Sequence, residues 1–149
     1  MKVIISELED LILKTLRKKY DSKDAELIKN VILFGELSGK TSHGIVRLFV
    51  GNSSVIAQNP SQKPRIVQKS KLSSLIESNG NPGMLVGPLA MREVIKIADE
   101  YGFGIVGTRK SFSTCGCVSY CLEQIAKQNL ITIIMAQSPK STVAYGGIE

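Results

Sequence analysis

Phe103-Gly104-Ile105-Val106-Gly107-Thr108, then a helical-period stretch over 116–128, then Leu130-Ile131-Thr132-Ile133-Ile134-Met135-Ala136 follow one another along the chain. The outer two are short apolar runs rich in β-branched residues. The middle one places Val118, Leu122, Ile125 and Ala126 at helical spacing. Strand, helix and strand in succession predict an α/β chain with one crossover unit, right-handed if its strands are parallel. The run 130–136 is expected to be a buried strand.

Upstream, Pro88–Tyr101 reads as a helix, with Pro88 in its first turn and Gly102 as its stop. Asn79-Gly80-Asn81-Pro82-Gly83 is a turn cluster. Ile66–Lys69 and Leu72–Glu77 are short strand candidates, and the prolines of 58–65 mark a loop. Before it the pattern is helical. Residues 6–20 carry a Ser6/Glu9 capping box and an apolar face of Leu8, Leu11, Ile12 and Leu16. Residues 22–37 can be capped by Asp21 or Ser22, and carry Ala25, Ile28, Ile32 and Leu37. Ile45–Val50 is a further, shorter helix candidate. A helical hairpin at 1–62 followed by an α/β part at 63–149 is the expected organisation.

With 149 residues the chain is about one domain long and can bury a core. Its composition, 43% hydrophobic and 21% charged, argues against disorder. No apolar run approaches the ~18 residues of a membrane helix, and Met1–Ser6 has no signal-peptide pattern. A soluble, cytoplasmic protein without a membrane partner is expected. The net charge of +6 suits an anionic partner without selecting one. Lys63, Arg65, Lys69 and Lys71 form a basic stretch. With aromatics at 5% and no tryptophan, it reads as a solvated loop rather than a nucleic-acid stripe.

Few residues carry chemistry. His43, the lone histidine, lies in the small-residue bend Thr41-Ser42-His43-Gly44, and Arg47 follows four residues later. On a helical turn the two project to one side. A titratable imidazole beside a guanidinium is what reduction of a 2-oxo acid requires: the arginine grips the carboxylate and the histidine hands over a proton. The alternative is a helix-capping histidine and a solvated arginine. Cys115, Cys117 and Cys121 are an odd, clustered set that suits a reducing compartment and reads as small buried side chains, not as a metal site. Gln137-Ser138-Pro139 follows the last apolar run, where ligands of open α/β sheets gather.

These segments together resemble one family, the type-2 malate/L-lactate dehydrogenases. Asp24-Ala25-Glu26-Leu27, Ser42-His43-Gly44 with Arg47-Leu48, Asn59-Pro60, Asn79-Gly80-Asn81-Pro82-Gly83, Gly87-Pro88-Leu89-Ala90-Met91, Gly104-Ile105-Val106-Gly107 and Gly146-Gly147 carry the resemblance in order and spacing. It implies a helical amino-terminal subdomain followed by part of a non-Rossmann mixed α/β nucleotide-binding domain. It also implies an NAD- or NADP-dependent oxidoreductase acting on a 2-hydroxy or 2-oxo acid, usually as a homodimer. His43 would be the acid/base residue, Ser42 and Arg47 would hold substrate, and Ser138 would touch the cofactor. No metal is implied. Two departures stand out. The family's second histidine corresponds to Ser113 or Thr114, and the acidic residue often preceding Ser-His-Gly is Thr41. Family enzymes are much longer, so an amino-terminal portion is expected. It would either work with a missing carboxyl-terminal half or persist as a non-catalytic interaction module.

Overall fold

A computed structural model describes residues 3–51, 54–57, 59–60 and 62–137. Helix α1 spans Ile5–Leu16 and α2 spans Ser22–Leu37. The capping box of α1 does not form. The helix starts at Ile5 behind Ile4, so Ser6 already lies inside its first turn. Its buried face is Ile12, Leu13 and Leu16, while Leu11 is turned to solvent. In α2 the Asp21 carboxylate accepts the Asp24 N–H at 3.0 Å, the expected cap. Ala25, Ile28, Val31 and Ile32 then face inward, and Leu37 at its end is exposed. Lys29 bridges the helices, lying 3.5 Å from Glu9 and 3.2 Å from Glu26.

Strands β1 (Arg65–Ser70), β2 (Ser73–Glu77) and β3 (Ile105–Arg109) form a sheet in the order β1-β2-β3. β1 and β2 are an antiparallel hairpin with an irregularity between Gln68 and Ser70, and β2 and β3 are parallel. The crossover is α3, Gly83–Tyr101. It begins well before Pro88, which lies inside the helix rather than in its first turn. The Pro82 carbonyl starts the helix by accepting from Leu85 and Val86 at 2.9 and 3.1 Å. At the far end Gly102 takes the left-handed conformation at φ 78° and its N–H returns to Ala98. Helix α4, Ser119–Ala126, is shorter than its sequence period suggests, because Gly116 turns the chain at φ 70°.

The crossover unit is thus β2-α3-β3, not 103–136. The run Leu130–Ala136 forms no strand and is not buried: Ile131 is 101% and Met135 90% exposed. Apolar composition makes a strand only where a neighbouring strand supplies hydrogen bonds, and no described residue pairs with this run. The main core joins α1 and α2 to Leu48, Val55, Met84 and Leu85. A smaller one joins Met91, Cys121 and Ile125, with Leu130 packed against it.

Candidate active-site turn

The segment after α2 is two short turns of tight helix, Thr41–His43 and Ile45–Leu48, instead of one longer helix. Their position is set by glycine. A Cβ on Gly35 would lie 2.7 Å from the His43 carbonyl oxygen, and one on Gly44 would strike Glu36 of α2. Backbone therefore packs on backbone, and the Glu36 carboxylate accepts the Ile45 N–H at 3.0 Å.

Ser42, His43 and Arg47 are brought together. Ser42 Oγ lies 2.9 Å from His43 Nδ1, and Arg47 Nε donates to the Ser42 carbonyl at 2.6 Å. Both His43 and Arg47 are half-buried. Among the described residues, His43 Nε2 and the two terminal nitrogens of Arg47 have no hydrogen-bond partner. The turn is braced from behind. Val55 N–H donates to the Arg47 carbonyl at 3.0 Å, and the buried Tyr20 hydroxyl donates to the Val55 carbonyl at 2.7 Å. Lys19 Nζ reaches the Ile56 carbonyl and Ser54 Oγ the Leu48 carbonyl, each at 2.5 Å. Burial, then the nearby Asp24 charge, pushes the Tyr20 phenol up to about 12. Sequence reasoning did not find Glu36, Tyr20 or Ser54. A glycine inside α2 was the one available signal, since mid-helix glycine usually has a packing reason.

The loop holding Ser113 and Thr114 leads into a close packing of Gly116 on α2. A Cβ on Gly116 would strike Val31, and one on Gly35, a helical turn further along α2, would strike His43. A Cβ on Gly83 would meet the Thr114 carbonyl oxygen at 2.9 Å, so this loop also caps the start of α3. Ser113 sits at φ 62°. Cys117 and Cys121 are buried and Cys115 exposed, all as free thiols. Burial, then the nearby Cys115, pushes the Cys121 thiol up to about 11, which suits an inert packing side chain. Ser138 lies outside the described residues.

Two open depressions lie elsewhere, and neither is lined by Ser42, His43 or Arg47. The turn of Ser42, His43 and Arg47 is an open face flanked by the exposed side chains of Val46, Phe49 and Val50. The turn presents a guanidinium and an imidazole, groups that can bind a carboxylate and carry a proton.

Known proteins place this architecture. The solved malate dehydrogenase of Pyrococcus horikoshii OT3 superposes with a TM-score of 0.77 at 27% identity, over 86% of this chain and 37% of that one. The sulfolactate dehydrogenase of Methanocaldococcus jannaschii gives 0.72 at 30% identity, over 81% and 36%. In sequence, the L-sulfolactate dehydrogenase of the same organism is 31% identical over 142 residues, 93% of this chain and 41% of the relative. Ureidoglycolate dehydrogenase of Escherichia coli O157:H7 is 27% identical over 84% of this chain and 36% of its own length. The class is that of mixed α/β chains related to hydroxyacid dehydrogenases. The chain belongs to the malate/L-lactate dehydrogenase family, whose profile matches residues 3–149. It spans about two fifths of the length of these relatives, 41% and 36%.

Proposed function

We propose that this chain carries the proton-transfer and carboxylate-binding end of a 2-hydroxyacid dehydrogenase site, within a helical subdomain followed by part of a non-Rossmann nucleotide-binding domain. The observation that supports it is the connected set Arg47–Ser42–His43. Arg47 is anchored through Nε, so its terminal nitrogens remain for both oxygens of a substrate carboxylate. When Ser42 donates to Nδ1, His43 carries its proton on Nε2, where it can pass to a ketone oxygen on reduction or return on oxidation. NAD or NADP would exchange the hydride when bound, with Ser138 among the residues of this chain that touch it.

The test is reduction of a panel of small 2-oxo acids, with each nicotinamide cofactor, by the purified chain. His43→Ala is expected to abolish turnover. Arg47→Ala is expected to raise KM about tenfold to a hundredfold, as loss of hydrogen bonds to a charged group implies. Undiminished turnover by the His43 variant would remove that residue from the mechanism. A second reading is a non-catalytic module that acts by pairing with another chain. It is favoured by the exposed Ile131, Ile133 and Met135 and by serine or threonine where the family carries a second histidine. Nicotinamide fluorescence titration separates the two, since only the first reading expects a saturable signal.

A further inference from the structure

The sheet ends in a row of charge that the dehydrogenase reading does not use. Arg65 opposes Glu77 across β1 and β2, and Glu77 opposes Arg109 across β2 and β3. Directly opposed residues share a face, so the three side chains stand in line across the sheet. Lys63, Asn79 and Lys110 adjoin this row at its ends. These six residues line an open depression of about 400 Å³. It lies where the parallel strands β2 and β3 both end, the side on which ligands of open α/β sheets collect.

The charges do not balance. The Glu77 side chain is only 12% exposed, and Arg109 Nε donates to both of its oxygens at 2.7 and 2.8 Å. Lys63 is paired with Asp21 and lies 3.9 Å from Asp24. Arg65 and Lys110 have no carboxylate within ion-pair distance among the described residues. The Glu77 carboxyl is held below its usual range first by the Arg109 hydrogen bonds, against burial, and then by the charges of Arg109, Lys110 and Arg65. One carboxylate therefore answers three cations around it. The ion pairs fix Arg109 and Lys63 in place, so part of the ordering cost of binding is already met.

We propose that this depression is an anion site, in which Arg65 and Lys110, beside the Glu77-anchored Arg109, bind the oxygens of a phosphate group. Arginine forks match tetrahedral oxyanions through paired N–H bonds. The volume leaves room for a group esterified to the phosphate. Lys69 and Lys71 lie at the other end of the hairpin and take no part. The site does not rest on the dehydrogenase assignment.

The experiment is isothermal titration of the 149-residue chain with inorganic phosphate, at an ionic strength held constant with potassium chloride. A saturable isotherm is expected. Arg65→Ala and Lys110→Ala are each expected to weaken it about tenfold, and Lys127→Ala on α4 to leave it unchanged. Circular dichroism confirms that each variant is folded. Should one variant not fold, the other decides the question, because both residues are required. AMP and adenosine form a second arm. Binding of AMP tighter than phosphate, with adenosine silent, assigns the site to a phosphate monoester. Equal binding assigns it to the free oxyanion. Either result supports the site. A non-saturable isotherm, or affinity unmoved by the folded variants, overturns it.

Discussion

Gly35 lies inside α2, where replacing glycine by alanine ordinarily stabilises a helix by about 1 kcal/mol. Here the added methyl would meet the His43 carbonyl carbon at 3.0 Å and its oxygen closer still, and both are backbone. Gly35→Ala is therefore expected to destabilise the chain by about 1–3 kcal/mol in urea denaturation, and to lower any turnover through displacement of the His43 turn. A gain in stability would contradict the packing. Tyr20→Phe removes the donor to the buried Val55 carbonyl behind Arg47, at an expected cost of about 1–2 kcal/mol. The folded-state phenol is raised to about 12 from a usual 10.0, so it stays protonated after an unfolded one would ionise. Its contribution is present below pH 10 and lost as pH rises toward 12, which alkaline unfolding of wild type against the variant would show.

Between elements, the parallel pair β2–β3 is pinned at its end by the Glu77–Arg109 fork. Because the folded Glu77 pKa lies below its usual 4.5, the group adds stability above that pH and loses it as pH falls through the depressed value. The difference in urea midpoint between wild type and Arg109→Gln is expected to be full at neutral pH and to shrink below about pH 4.5. A difference independent of pH would show that the arginine acts by packing alone. Pro88 makes the complementary point within one element. It contributes no N–H to α3, yet the helix runs through it with Met84, Leu85, Val86 and Met91 buried around it. Tertiary burial overrides a local preference here.

For the molecule as a whole, the notable surface is the run through Ile131, Ile133 and Met135, all exposed, with β3 an edge of the sheet among the described residues. Uncovered apolar side chains and unpaired strand edges promote association. Sedimentation is expected to show a concentration-dependent oligomer. Replacing Ile131, Ile133 and Met135 by serine together should shift it toward monomer, with little change in melting temperature because none of the three packs in a core. A wild-type chain that stays monomeric at high concentration would count against this surface as an interface.

Local signals were sufficient where a residue and its near neighbours decide the outcome. A cap at Asp21 or Ser22, the α2 period, the strand candidates that became β1 and β2, and the Gly102 stop were legible in the sequence. His43 and Arg47 are close in sequence, and what links them is Ser42, whose carbonyl accepts from Arg47 and whose hydroxyl lies against His43. The sequence could not show that 130–136 would find no strand partner among the described residues, since apolar content reports a tendency to be covered and not what covers it. Nor could it show Glu36, Tyr20 and Ser54 behind the His43 turn, or Arg65, Glu77 and Arg109 in one row. Those placements depend on strand register and on backbone approach between segments far apart in the chain, which only the packed tertiary structure decides.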